Sequence, residues 1–425
     1  MQDAHGSLGL DGLLAWTQAR YVARTAASPL HTVSARIDEA HGAILATALT
    51  SAYDEPFADA AAYDGYAVCG EGPWSILDLA PDVALSPHTA ARVRAGQIVP
   101  GHTDAVVPVG RAVVYSEGSV DRVMARDPLT DLPEATARPD LGEGIVRQGS
   151  VRRAGAQLVP AHSRVTAGTL ALAAAAGLDA IEVVAPPIVG TLVFGSNLLT
   201  SGPARGGRVR DALGWTIPAL MGALGARANP PVRAPDTHEL LIREIEDANA
   251  DLLVTTGSTT PGGTNLLREV LRDMGAHWLI DGIMLTPGAQ TLLVRLPDGR
   301  LLLGLPGQPN AALAGLITVG APLLAGLRGE LIDALRAPAS AVPPRATLAS
   351  QVTPPEFDED TALHPVRLDI DPHGGRPVAH PLAFDGPGAL RGWATADAVA
   401  VIPPGAGRVG EVVELLDMHG RPATA

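Results

Sequence analysis

The chain is 425 residues long, more than one ordinary core can organise, so two to four domains are expected. Hydrophobic residues make up 46% but aromatics only 3%, so the cores must rest on Ala, Leu and Val; 47 Gly and 37 Pro favour turns and short elements over long helices. A net charge of −14 repels nucleic-acid phosphate and anionic lipid, which excludes a general affinity for either.

All 31 basic residues are arginine, because the chain contains no lysine. A Schiff-base lysine, a pyridoxal phosphate anchor and a P-loop lysine are therefore excluded. Any anionic ligand must be held by Arg, backbone N–H groups or a metal. Cys69 is the single cysteine, so neither an internal disulfide nor a Cys-based zinc site can form. The first 23 residues lack a basic segment followed by an apolar run, so no signal peptide is expected and the cytoplasm is the expected compartment. Residues 165–180 come nearest to a membrane span but contain Gly168, Gly177 and Asp179, and read as a core helix.

In chain order, residues 8–50 predict helix. Leu10, Leu13, Leu14 and Trp16 open the pattern, and Val33, Ile37, Ala40 and Ile44 continue it at helical spacing. From 51 to about 140, short apolar runs (65–68, 105–109, 112–115) alternate with Gly, Pro and Asp and predict a small β domain. Residues 141–185 read as turn, strand, turn, helix and strand, with Thr166 as N-cap and Gly177 just past the helix end. From 186 to about 330, strands and helices alternate, which indicates a parallel sheet covered by helices on both faces. A Pro/Ala-rich joint at 337–345 precedes short strands that suit a small barrel or sandwich.

Two loops of the α/β region could carry chemistry. TTGSTTPGGTN, residues 255–265, follows a buried strand and opens a helix, at the sheet edge where ligands bind in open α/β folds. Its glycines, hydroxyls and helix start are the parts of an anion cradle, although an ordinary Gly- and Thr-rich turn has the same composition. GLPGQPNAALAGL, residues 304–316, is stiffened by Pro306 and Pro309, while Gly304 and Gly307 admit close approach; a rigid turn without ligand is its other reading. In AAAYDGYAV, residues 60–68, Asp64 before Gly65 makes a turn or offers a carboxylate to a metal or pterin. No HExxH or paired His supports a His-based metal site, and no GxSxG context supports an α/β hydrolase.

The order of these segments resembles one family. DEPFADAAAYDGYAV resembles PPFDNSAMDGYAV of the molybdopterin molybdenumtransferases, including the gephyrin E-domain. RVRAGQIVPGHTDAVVPV is similar to RIxTGAPVPxGADAVVxxE, and the cradle loop to TSGGVSVGDYDxxK. TPGAQ stands where the family has KPGKP, GLPGQPNAAL where it has GLPGNPVSAL, and LRGWATADAVAVIPPG resembles LSSLAxANGLxxxPxG. Six collinear motifs span essentially the whole chain.

The resemblance implies an elongated homodimer of mixed α/β and β domains. Residues 1–50 with 141–185 would form a helical and mixed first domain, and 51–140 an inserted β domain. Residues 186–330 would form the α/β molybdopterin-binding domain, and 338–425 a C-terminal β-barrel. The family cleft lies between the α/β domain of one subunit and the inserted β domain of the other. Its reaction takes adenylylated molybdopterin and molybdate, uses a divalent metal such as Mg2+, and releases molybdenum cofactor and AMP. Molybdoenzymes or other proteins of the cofactor pathway would be partners.

Carried over by position, the resemblance implies Asp64, Asn265 and Arg268 as catalytic positions. It implies Gly257, Ser258, Thr259, Thr260, Gly262, Pro287, Gly288, Pro306, Gly307 and Pro309 as the molybdopterin-binding frame. No metal ligand is assigned, because the family's acidic positions are occupied here by Ser196, Asn197 and Asn265. The two lysines of KPGKP become Thr286 and Ala289, and the Thr of TGAPVP becomes Ala95. Two readings follow: an insertase with a rebuilt site using Arg268, Asp64 and Asp281, or a molybdopterin- or partner-binding protein without catalysis.

Overall fold

The computed structural model describes residues 12–79, 83–127, 130–134, 136, 139–259, 266–330, 345–352, 358–369, 375–382 and 390–418. Three larger sheets form among these residues. The first contains Gly65–Cys69 between Thr89–Val93 and Ala105–Pro108, extended through Trp74–Leu77 and Val120–Arg126. One of its faces buries Val68, Trp74, Val107 and Val123; the other buries Ala67, Leu85, Ala91 and Val106. Gly65 is fixed by sterics, because a Cβ there would lie 2.2 Å from the Val107 carbonyl oxygen.

The N-terminal third departs from the helical expectation. Among the described residues up to 50, Trp16–Ala26 is the α-helix; Leu14–Ala15 is extended and pairs with Ile283 and Met284. Pro29 follows the helix, and Thr32–Arg36 is a strand paired antiparallel with Ala180–Val184. Val33 and Ala35 alternate with exposed neighbours, a two-residue period that wins over the sparse helical match through Ile37 and Ala40. Further on the expected pattern holds: Thr166 caps Ala167–Ala175 by accepting from the Thr169 amide at 3.2 Å, and Gly177 takes φ +81°.

The α/β sheet is mixed rather than wholly parallel. Val232–Ala234, Ile188–Phe194, Leu252–Thr256 and Leu301–Leu305 run parallel. Leu292–Arg295 returns antiparallel to Leu301–Leu305 around the turn containing Gly299, and His277–Asp281 adds a further antiparallel edge. A two-sided apolar strand such as Leu252–Thr256 states burial but not direction, and the tight turn at 297–299 decides it. One face packs on Leu213–Ala223, Trp16–Ala26 and the helical stretch 309–327; the other packs on His238–Asp247 and Leu266–Asp273.

That stretch, Pro309–Leu327, is the one helix among the described residues long and apolar enough to cross a bilayer, and most of it is buried inside the molecule. Residues 165–180, the expected nearest match, contain a helix of nine residues. A wider π turn at Leu316–Gly320 places the buried Thr318 hydroxyl where the Trp16 indole N–H donates to it at 3.1 Å. Gly326 lets the two helices touch: a Cβ there would lie 2.7 Å from the Arg24 carbonyl oxygen.

The C-terminal strands close into a ring: Thr361–Asp369, Val378–Pro381, Arg345–Leu348, Val412–Leu416 and Ala398–Ile402, whose last member pairs back to the first. Ile283–Thr286, from the α/β region, attaches parallel to the outer end of Thr361–Asp369. Within the barrel, burial pushes the His364 imidazole below its ordinary value of 6.5. At pH above 6.5 both folded and unfolded chains hold it neutral, and stability is unaffected. Below 6.5 the unfolded chain takes up the proton first, so stability falls with pH towards the folded pKa. The loss in melting temperature between pH 7.5 and pH 5 is therefore expected to be smaller in His364→Gln than in the wild type; equal losses, measured by calorimetry, refute this.

Candidate active site

The parallel strands bring four chain segments to one sheet edge. Phe194 and Thr256 end adjacent strands, so residues 195–197 and 257–259 begin side by side. The Gly257 amide donates to the Leu305 carbonyl at 3.0 Å, tying the cradle loop to the next strand. Gly257 has φ +85°, and a Cβ there would lie 3.3 Å from the Phe194 carbonyl oxygen. Gly307 sits against it, its Cβ position 3.6 Å from the Gly257 Cα. Ser258 takes φ +55°, a left-handed conformation that costs a non-glycine residue energy and often marks functional loops. The loop's remaining expected residues, Thr260, Gly262 and Asn265, lie outside the described residues.

A carboxylate joins this edge that the sequence did not single out. The Gly195 amide donates to the Ala234 carbonyl at 3.2 Å, which brings Asp236 beside Ser196. Asp236 Oδ1 accepts from the Ser196 amide at 3.1 Å and also from the Ser196 hydroxyl. The Ser196 hydroxyl is the main cause holding the Asp236 carboxyl below its ordinary range, with backbone donors adding to it. Asp236 is thus ionised and exposed at the sheet edge. In the sequence it sits in a Pro-Asp-Thr turn before a helix, a pattern that reads as a cap.

The TPGAQ loop is rigid. Gly288 accepts from the Thr291 amide at 3.1 Å and from its hydroxyl at 2.8 Å. A Cβ on Gly288 would lie 3.1 Å from the Ala311 carbonyl oxygen, so the loop presses on the helix that begins at Pro309. The frame of Pro287, Gly288, Pro306, Gly307 and Pro309 is therefore brought together. Thr286, however, is turned towards the barrel, where its hydroxyl donates to Asp360 Oδ2 at 2.5 Å. Asp360 is 1% exposed. It ends an acidic run that reads as solvated surface, so its burial was hidden in the sequence.

Arg268 does not present its charge to the cleft as expected. The residue is 1% exposed. Its Nε donates to the Thr259 carbonyl at 2.9 Å, its Nη1 to Asp281, and its guanidinium lies 5.5 Å from the Trp278 ring centroid. An arginine at the third position of Leu266–Asp273 points back towards the helix start, which here is the interior end of the cradle loop. Arg268 and Asp281 thus neutralise one another. Asp64 stays in its own sheet region, its carboxylate accepting from the Ala95 amide at 2.8 Å.

Among the described residues no group of three or more His, Cys, Asp or Glu could hold a metal. A cleft of about 720 Å³ opens at the opposite sheet edge, lined by Ile188, Arg227, Asp251, Arg164 and Arg328. It faces the starts of the strands, so convergence of loops rather than cavity size identifies the site.

Three family models match consecutive regions of the chain. The model of the MoeA N-terminal region (domains I and II) matches residues 14–177, the probable molybdopterin-binding domain matches 190–326, and the MoeA C-terminal region (domain IV) matches 345–418. The molybdopterin molybdenumtransferase of Bacillus subtilis is 25% identical over 402 residues, covering 88% of each chain. That of a Nostoc species is 29% identical over 310 residues, covering 68% of each. A crystal structure of a Pyrococcus horikoshii MoeA protein superposes with a TM-score of 0.74 at 23% identity, covering 96% of this chain and 99% of that one. With three family models in order along most of its length and the same fold, the chain belongs to the molybdopterin molybdenumtransferase (MoeA) family of molybdenum cofactor biosynthesis.

Proposed function

We propose that the chain binds adenylylated molybdopterin and transfers molybdate to it slowly, releasing AMP. The observation that carries the binding half is the meeting of the Gly195, Gly257 and Gly307 loops at one sheet edge. The Gly195, Ser196 and Gly257 amides are bonded within the protein, so other backbone N–H groups of these loops would meet a pyrophosphate in a chain without lysine. Gly257, Ser258 and Thr259, with Thr260 and Gly262, would cradle the phosphates, and Pro287, Gly288, Pro306, Gly307 and Pro309 would shape the wall beside them.

The family implies Mg2+. Asp236 supplies one carboxylate, with Oδ1 already taken by Ser196. One carboxylate together with substrate phosphates is a normal magnesium donor set, so the residues fit an ion that arrives with the substrate. Such an ion would neutralise the pyrophosphate. Asp236 would bind it and orient water beside the anhydride, while the loops exclude bulk solvent.

A second reading, binding without turnover, is favoured by the charges. Arg268 is paired with Asp281, and Thr286 faces Asp360, so the expected replacements for the lost groups are engaged elsewhere. Titration calorimetry separates both readings from no function here: tight binding of adenylylated molybdopterin supports them, and absence of heat at micromolar protein overturns them.

The cleft is proposed to be shared between two copies of the chain in the cytoplasm, bringing Asp64 of one to the cradle of the other. Light scattering after size exclusion is expected to give twice the 43.6 kDa chain mass. A monomer at micromolar concentration refutes the shared cleft.

A further inference from the structure

We infer that Trp215 and Arg233 form a stacking subsite for the planar nitrogen heterocycle of a phosphorylated ligand, beside the cradle loop. This inference rests on the binding reading above and names the part of the site that would take the ring.

Trp215 stands in the first turn of Leu213–Ala223 and is 62% exposed. Trp16, Trp74 and Trp393 are each 8% or less exposed and Trp278 is half-buried, so Trp215 is the exposed indole among the five. An exposed indole leaves much apolar area in water, and that area is available to a ligand. Its position is built rather than incidental. The Arg233 guanidinium lies 5.7 Å from the indole centroid. Arg233 Nε donates to Asp211 Oδ2 at 2.7 Å, and the Asp211 carboxylate is buried, with Oδ1 accepting from the Gly214 amide at 2.8 Å. Gly214 makes this possible, since a Cβ there would lie 2.3 Å from Asp211 Oδ2 and 2.5 Å from Arg233 Nη2. Arg233 Nη2 is itself buried, so the pair presents a ligand with the exposed indole face and not with a free donor.

The subsite adjoins the anion-binding edge. Arg233 pairs with Val193 across the sheet, and Ala234, its neighbour, accepts from the Gly195 amide. Two residues further lies Asp236, bonded to Ser196. The path Trp215, Arg233, Ala234, Gly195 and Gly257 thus runs from an aromatic face to a backbone cradle. A ligand with a flat ring at one end and a phosphate at the other fits that order of chemistry: stacking at the indole, hydrogen bonds at the loops. Adenine and a pterin are both such rings.

The test uses the full-length protein with three probes: AMP, 6-hydroxymethylpterin and ribose 5-phosphate. Ring-bearing probes are expected to quench a tryptophan emission component that is missing from Trp215→Leu, and ribose 5-phosphate is expected to leave it unchanged. Trp215→Leu is expected to weaken the binding of at least one ring-bearing probe about tenfold, and Trp215→Phe to restore most of it. Which probe responds identifies the ring. Equal dissociation constants in wild type and Trp215→Leu overturn the subsite, as does a loss of binding that tracks dissociation of Trp215→Leu into monomers by light scattering. If intact adenylylated molybdopterin binds both proteins equally, only the subsite falls. If it binds neither, the binding reading falls with it.

Discussion

With adenylylated molybdopterin, magnesium and limiting molybdate, AMP release is expected to be about a hundredfold or more slower than in a relative that keeps both lysines. The family resemblance implies acidic groups at the positions of Ser196, Asn197 and Asn265, and ammonium groups at Thr286 and Ala289. Electrostatic stabilisation is usually the largest catalytic contribution, and here both signs are missing. The structure also sets the conditions for rescue. Asp360 is buried beside residue 286, so Thr286→Lys alone would place its ammonium against that carboxylate rather than towards an oxyanion. Thr286→Lys combined with Asp360→Asn and Asn265→Asp is expected to recover more turnover than Thr286→Lys alone. Ala289 is 8% exposed, so a lysine there must displace packed neighbours and belongs in a separate variant. Wild-type turnover matching that of a lysine-containing relative would defeat the whole account.

The second large effect is on stability. Arg268→Leu is expected to destabilise the chain by about 2–4 kcal/mol, because it leaves Asp281 and the Thr259 carbonyl without their donor. The figure sits below the range for a wholly buried pair because the Asp281 side chain is 39% exposed. Phosphate affinity is expected to fall as well, since Thr259 anchors the cradle loop. Arg268→Lys separates anchoring from charge. An ammonium can keep Asp281 but cannot hold the carbonyl in the same forked geometry, so stability should recover more than affinity. Urea unfolding with parallel calorimetry measures both. An Arg268→Leu protein with wild-type stability and no phosphate binding would mean that the guanidinium contacts ligand directly.

The α/β region was legible because its strands are short apolar runs and its helices carry an apolar stripe. Leu213–Ala223 and Leu266–Asp273 stop just before Gly225 and Gly275, which take φ +91° and +74°. Gly257 and Gly288 stand where the backbone takes φ +85° and +121°, and a Cβ at Gly288 would lie 3.1 Å from the Ala311 carbonyl oxygen. What stayed hidden depends on partners distant in sequence. Thr32–Arg36 is a strand because Ala180–Val184 offers it an edge, and five residues with two half-buried positions announce that only weakly. The direction of Arg268 depends on Asp281 and Trp278, and the burial of Asp360 on Thr286. Charge type can be read from a letter; charge orientation is a property of the packed surroundings.

Ile283–Thr286 bonds to Leu14–Ala15 at one end and to the barrel strand Thr361–Asp369 at the other. Three segments far apart in the chain are thus spliced into one ribbon, and the TPGAQ loop grows from its end. A division of the gene at the Pro/Ala-rich joint would look natural on the sequence but would cut this ribbon. The α/β fragment would keep the layer under His238–Asp247 and Leu266–Asp273, but its other layer, which includes the barrel residues Leu363, Trp393, Val399, Val401 and Leu416, would be opened, and the segment leading into its site would lose its support. Recombination that exchanges barrels between family members would therefore have to carry a matching 283–286 strand, which makes the site loop and the barrel a single unit of inheritance.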